Sequence, residues 1–104
     1  MNIDNSSLRT YNSSLIKRLF AILDLTNNAV SEKDFEDIEK YISGLETEIR
    51  GSLTYYSDCD YGNQVPSVLM KISGIKSVTD YNVRRKAVLD SIGILDKISK
   101  SIKE

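Results

Sequence analysis

The chain has no histidine among its 104 residues. Histidine is the usual general base near neutral pH and the commonest transition-metal ligand, so any catalysis would rest on carboxylates, Tyr, Lys, Ser or a thiol. Cysteine occurs once, as Cys59, which excludes an intramolecular disulfide and falls short of any zinc-knuckle spacing. A reducing cytoplasm is the expected compartment. Long apolar runs are missing too: the longest, Leu19 to Leu23, is far below a membrane span, and Met1 to Asn5 lacks the basic stretch and apolar run of a secretion signal. Neither secretion nor a membrane partner is expected. No glycine-rich phosphate loop, RNA-binding aromatic signature, repeat or low-complexity segment is apparent.

What is present fits one soluble domain over residues 1–104, with 40% hydrophobic and 28% charged content. A core this small is marginal alone, so an oligomer that buries further helix surface is a natural source of stability. The net charge of −1 hides a segregation: residues 31–60 carry nine acids against three bases, and residues 61–104 carry eight bases against four acids. Such a split serves either to pair an acidic helix beside a basic one, within or between subunits, or to present a basic face to an acidic partner. Abundant Ile, Asn, Ser and Lys suit an AT-rich bacterial or phage genome.

Hydrophobic spacing divides the chain into helices. The first is expected to start among Asp4, Asn5, Ser6 and Ser7, all competent caps, and to run to Thr26-Asn27-Asn28. Its stripe is Leu8, Tyr11, Leu15, Leu19 and Ile22, widened by Ile16, Phe20 and Leu23. Asn12, Ser13 and Ser14 compete for backbone hydrogen bonds and could delay its start. The second helix, Ser31 to Tyr56, has the clearest opening: Ser31 as N-cap, Asp34 three residues on, and Val30 placed to staple onto Phe35. Phe35, Ile38, Ile42, Leu45, Ile49, Leu53 and Tyr56 then recur at steps of three and four, close to a coiled-coil seam. Gly44 and Gly51 lie seven apart on one side of it, either admitting another helix closely or simply tolerated.

Tyr55 to Asn63 reads as a loop, and Pro66 opens a short helix to Ser73 that buries Val68, Leu69 and Ile72. Gly74 fits a left-handed position after it, with Ile75 folding back on Met70. Ser77 with Asp80 repeats the cap pattern and opens a basic helix to Lys103, striped by Val78, Tyr81, Val88, Ile92, Leu95, Ile98 and Ile102. The expected fold is therefore all-α: a small antiparallel helical bundle of three main helices and one short one.

Chemistry is sparse. Glu32, Glu36 and Glu39 share one helix face, but off the apolar stripe where a bundle-core metal site is built, which leaves a solvated face as the reading. Asp58-Cys59-Asp60-Tyr61-Gly62-Asn63 fails the calcium-loop spacing, since Gly62, Asn63 and Leu69 occupy the positions of a ligand, the glycine and the terminal Glu. Asp58 and Asp60 raise rather than lower the pKa of the thiol between them. No cofactor and no metal are therefore expected, and no catalytic residue is assigned. The most suggestive cluster is Arg84, Arg85 and Lys86, with Lys76, Lys97, Lys100 and Lys103 on or near the same helix. Arg84 also stands four residues after Asp80, the right order for an intrahelical ion pair. Tyr55 and Tyr61 beside the acidic loop, with Tyr56, form a possible protein-contact patch.

The expected function is a non-enzymatic interaction module that assembles with itself or a protein partner through its apolar seams. Its partner-binding residues would be Arg84, Arg85, Lys86, Lys97, Lys100, Tyr55 and Tyr61. The alternative is a nucleic-acid-binding accessory protein that contacts phosphates through the last helix.

Overall fold

The structure, a computed structural model, describes residues 4–102. Helix α1 spans Asn5–Asn27 and is capped by Asp4, whose carboxylate accepts from the Ser7 backbone N–H at 2.7 Å. Asn12 does not delay its start, because the side chain is turned away from its own backbone and bonds across to another helix. Helix α2 spans Glu32–Tyr56 and opens with a reciprocal cap. The Ser31 hydroxyl accepts from Asp34 N–H, while the Asp34 carboxylate accepts from the N–H groups of Val30 and Ser31. Val30 is 91% exposed, so the expected staple is absent; Phe35 packs against the core instead, with the Arg84 guanidinium over its ring at 5.9 Å.

Beyond a loop, a 3-10 turn over Gly62–Gln64 leads into α3, Val65–Gly74, with Pro66 in its first turn where no helical N–H is needed. Gly74 stays helical and Ile75 closes the end with a negative φ of −105°, so the left-handed cap expected at the glycine does not form. Ile75 is buried in the core and Met70 lies 75% exposed, which removes their expected contact. The last helix, α4, spans Tyr81–Ser101 and begins three residues later than a cap at Ser77 implied, with Asp80 as its cap. The reason lies in the intervening turn: the carbonyls of Ile75 and Lys76 accept from Arg84, which holds this segment as a turn. Lys103, expected at the end of this helix, lies outside the described residues.

The helices form an up-down-up-down bundle. Helix α1 packs on α4 and α2, and α3 packs on the same two partners from the opposite side. Helices α2 and α4 therefore occupy diagonal corners, and the expected pairing of the acidic with the basic helix inside one chain is not how the bundle closes. Loop lengths dictate this outcome, since short connections make consecutive helices antiparallel neighbours. The body measures 44 × 22 × 19 Å.

One spacing governs the interior. Beside Leu23 of α1 and Glu46 of α2, which are also buried, the seam of α1 is Leu8, Asn12, Leu15, Leu19, Ile22 and Thr26; that of α2, Ile38, Ile42, Leu45, Ile49, Ser52 and Tyr56; and that of the α4 segment, Arg84, Val88, Ser91, Leu95, Ile98 and Ile102. All three seams follow steps of four, three, four, three and four, the heptad alternation that keeps one seam turned inward along a whole helix. The short α3 contributes Val65, Val68 and Ile72, continued by Ile75. The seams read from apolar residues alone swerve to Tyr11, Leu53 and Ile92, whereas the true seams continue straight through Asn12, Ser52 and Ser91.

Candidate functional site

Apart from Ser91, which donates to Ala87 O midway along α4, the polar members of the seams lie toward the two ends of the bundle. At one end Asn12 Nδ2 donates to the Leu95 carbonyl at 2.8 Å and to Ser99 Oγ at 2.6 Å. Its Oδ1 accepts from the Tyr56 hydroxyl at 2.8 Å, so one side chain ties α1, α2 and α4. Burial pushes the Tyr56 phenol well above its ordinary pKa. Nearby, Arg9 Nη2 donates to the Ile102 carbonyl at 2.8 Å, placing a cation at the negative end of α4.

At the other end lies Arg84, only 1% exposed. Its Nη1 donates to Thr26 Oγ1 at 2.9 Å, Nε to Ile75 O at 3.3 Å and Nη2 to Lys76 O at 3.1 Å. The Thr26 hydroxyl in turn donates to Ile22 O at 2.7 Å. Desolvation lowers the Arg84 pKa, with Glu39 opposing that shift. Lys76 also pairs with Glu46 at 2.6 Å, which holds the Glu46 carboxyl below its ordinary range. Both buried clusters are bonded within the fold and serve to fix helix register.

Function therefore has to be sought on the outside. The open end of the α1–α2 hairpin forms a concave surface of about 480 Å³ lined by Asp24, Leu25, Asn28, Ala29, Asp34, Asp37, Ile38 and Tyr41. Its floor is apolar, its rim carries three carboxylates, and no cation lines it. Asp34 is held ionised by the Val30 N–H first of all. Between α3 and α4 a second surface of about 430 Å³ is lined by Lys71, Ile75, Asn82, Val83, Lys86, Ala87 and Asp90. Val83 stands 50% exposed in it, between two lysines. Below the acidic groove the α1–α2 interface is bridged by the Arg18–Glu48 ion pair and by the Tyr41 hydroxyl donating to Arg18 O.

The residues expected to bind a partner do not converge. Arg84 is removed from the surface altogether, and Asp80 caps α4 rather than pairing with it. Arg85, Lys86, Lys97 and Lys100 are exposed, but Lys86 pairs with Asp90 at 3.1 Å and Lys100 with Asp96 at 2.9 Å. Tyr55 is half-buried edge-on to Tyr11, with ring centroids 6.4 Å apart. Tyr61 is exposed in the loop with φ of 67°, the left-handed region. Cys59 is half-buried, and burial pushes its thiol up, with Asp58 and Asp60 adding to the shift.

Sequence reading missed Asn12, Thr26, Ser52 and Ser91 as interior positions. The signal was available, since each falls where a strict four-three step lands. Among the described residues no three Cys, Asp or Glu side chains come together as a metal site, and no helix is long and apolar enough to cross a membrane. Fold and surfaces define the class: an all-α four-helix bundle whose polar interior is structural. No protein-family model, curated protein or solved structure matches the chain.

Proposed function

We propose that this protein is a non-enzymatic helical interaction module that assembles with itself or with a protein partner in a reducing cytoplasm. The seams first suggested for association are consumed by the chain's own core, so contact falls to its outer faces. The observation that carries the reading is the diagonal placement of the acidic and basic helices, which leaves one open apolar surface rimmed by Asp24, Asp34 and Asp37 and another flanked by Lys71 and Lys86. Nucleic-acid binding is the weaker reading, because Arg84 is spent inside and Lys86 and Lys100 already have carboxylates.

The test is absolute mass by light scattering on a sizing column at low and high salt, with nucleic acid followed by absorbance ratio. A mass above that of one chain, falling as salt rises and free of nucleic acid, is expected. A strict monomer at high concentration, insensitive to salt, would overturn self-assembly, and a monomer carrying nucleic acid would favour the alternative.

A further inference from the structure

The groove at the open end of the α1–α2 hairpin carries carboxylates from both helices around an apolar lining. Asp24 comes from α1, Asp34 and Asp37 come from α2, and the apolar lining is Leu25, Ala29, Ile38 and Tyr41. From Asp34 to Tyr41 the groove follows two turns of α2, about 10 Å of helix. Leu25 is 42% exposed in it, an apolar side chain left open to a partner. The end of α1 adds to the negative charge. Asp24 sits in the last turn of that helix, where the carbonyl end of the dipole repels a carboxylate, and the turn carries no basic residue. Arg84 reaches this end only from the core side, through Thr26. Lys33, its side chain 82% exposed, stands 3.8 Å from Asp37, a loose pair that a bound cation can displace. An acid that weakens its own helix end while completing an acidic rim is placed for what it attracts.

We infer that the occupant of this groove is a basic amphipathic segment of another protein, with an apolar side chain set between lysines or arginines. Resting on the assembly reading above, this gives the protein partner its chemistry. The apolar side chain covers the floor, while the flanking cations lay their methylene stems on the same lining and bring their charges to the carboxylate rim. Charge complementarity selects this occupant. Nucleic acid and anionic lipid present phosphates, which the three carboxylates repel. A metal ion finds no site, since among the described residues no three acids come together to hold one. A small inorganic cation would leave the apolar lining unused. A second copy of this chain is a poor match, because its own basic surface is itself a concavity in which Lys86 already pairs with Asp90.

The experiment titrates the full chain by isothermal calorimetry with three synthetic peptides of equal length: leucine and lysine in amphipathic helical order, the same order with glutamate for lysine, and lysine alone. The groove pair Asp24→Lys with Asp37→Lys is compared with the loop pair Asp58→Lys with Asp60→Lys, an equal charge change at the opposite end. All four positions are exposed, and circular dichroism verifies folding. The wild type is expected to bind the leucine–lysine peptide, less tightly as salt rises, to ignore the glutamate peptide, and to bind lysine alone at least about tenfold more weakly. The groove pair is expected to weaken leucine–lysine binding by more than about tenfold and the loop pair by less than about threefold. Asp24→Lys alone is expected to weaken binding while raising the urea midpoint, because a cation suits that helix end. A lowered midpoint would make Asp24 a structural residue and overturn its assignment to the rim. Equal losses in the two pairs, or lysine alone bound as tightly as the mixed peptide, overturn the groove in favour of diffuse charge. Spermine displacing the mixed peptide at equal concentration assigns the groove to a small polyamine, and loss of the wild type's own assembly in the groove pair but not the loop pair assigns it to a second copy; either overturns the proposal. Failure to bind the mixed peptide overturns it too, and light scattering then separates the readings: a salt-sensitive oligomer keeps the assembly module, and a salt-insensitive monomer removes it.

Discussion

Arg84 illustrates how one side chain changes meaning when its surroundings are built. In the sequence it is the first of three consecutive cations and a natural phosphate contact; in the fold its guanidinium closes the α3–α4 turn and the end of α1 through three hydrogen bonds. Arg84→Ala leaves two carbonyls and a hydroxyl without that donor, with an expected loss of about 2–4 kcal/mol in urea unfolding. Arg84→Lys recovers little of this, because an ammonium on a flexible stem cannot reproduce the planar fork. Tyr56→Phe is expected to cost about 1–2 kcal/mol by the same measurement, since it leaves Asn12 Oδ1 buried without a donor. Asn12 and Thr26 were legible from strict heptad spacing. The inward turn of Arg84 was not, because its acceptors Ile75 and Lys76 come within reach only once α3 has turned back on α4.

Among the elements, the glycines separate local propensity from tertiary contact. Gly44 and Gly51, which the spacing offered as a helix-docking face, have nothing within 4 Å of an added Cβ, so neither admits a neighbour closely. Gly44→Ala and Gly51→Ala are expected to raise stability by about 0.5–1 kcal/mol each, through reduced backbone entropy of the unfolded chain. Gly62 is the glycine that matters: a Cβ there would collide with the Tyr56 carbonyl. Gly62→Ala must shift the loop against a buried helix end, and a loss of more than about 2 kcal/mol is expected, read from the urea midpoint. Tyr61, next to it, holds a left-handed conformation that glycine adopts without strain, so Tyr61→Gly is expected to be neutral or stabilising. Helix starts at Asp4 and Ser31 were legible because a cap is a local motif. The start of α4 was displaced from Ser77 to Asp80 because a tertiary hydrogen bond outcompeted a local one.

At the scale of the whole molecule, the absence of histidine shapes the response to pH. With Cys59 pushed up by burial, no side chain among those described ordinarily titrates between about pH 6 and 8, so stability is expected to stay level there. The acid limb is different. Glu46 is held below its ordinary value of 4.5, chiefly by the Lys76 hydrogen bond, so its folded state binds fewer protons than its unfolded state just below that pH. The contribution is fully present above about 4.5 and is lost as pH falls through the lowered folded value. Urea midpoints of wild type and Glu46→Gln are therefore expected to differ most near neutrality and to converge toward pH 3. The sequence by itself determined the helices, their inward faces and the total of each charge, because caps and heptad spacing act within a few residues along one chain. Only the tertiary structure decided which helices became neighbours. Connection lengths and packing, which set the neighbours, placed α2 and α4 on diagonal corners, buried one arginine, and left an acidic groove on the α1–α2 edge and a second open surface flanked by Lys71 and Lys86 on the α3–α4 edge.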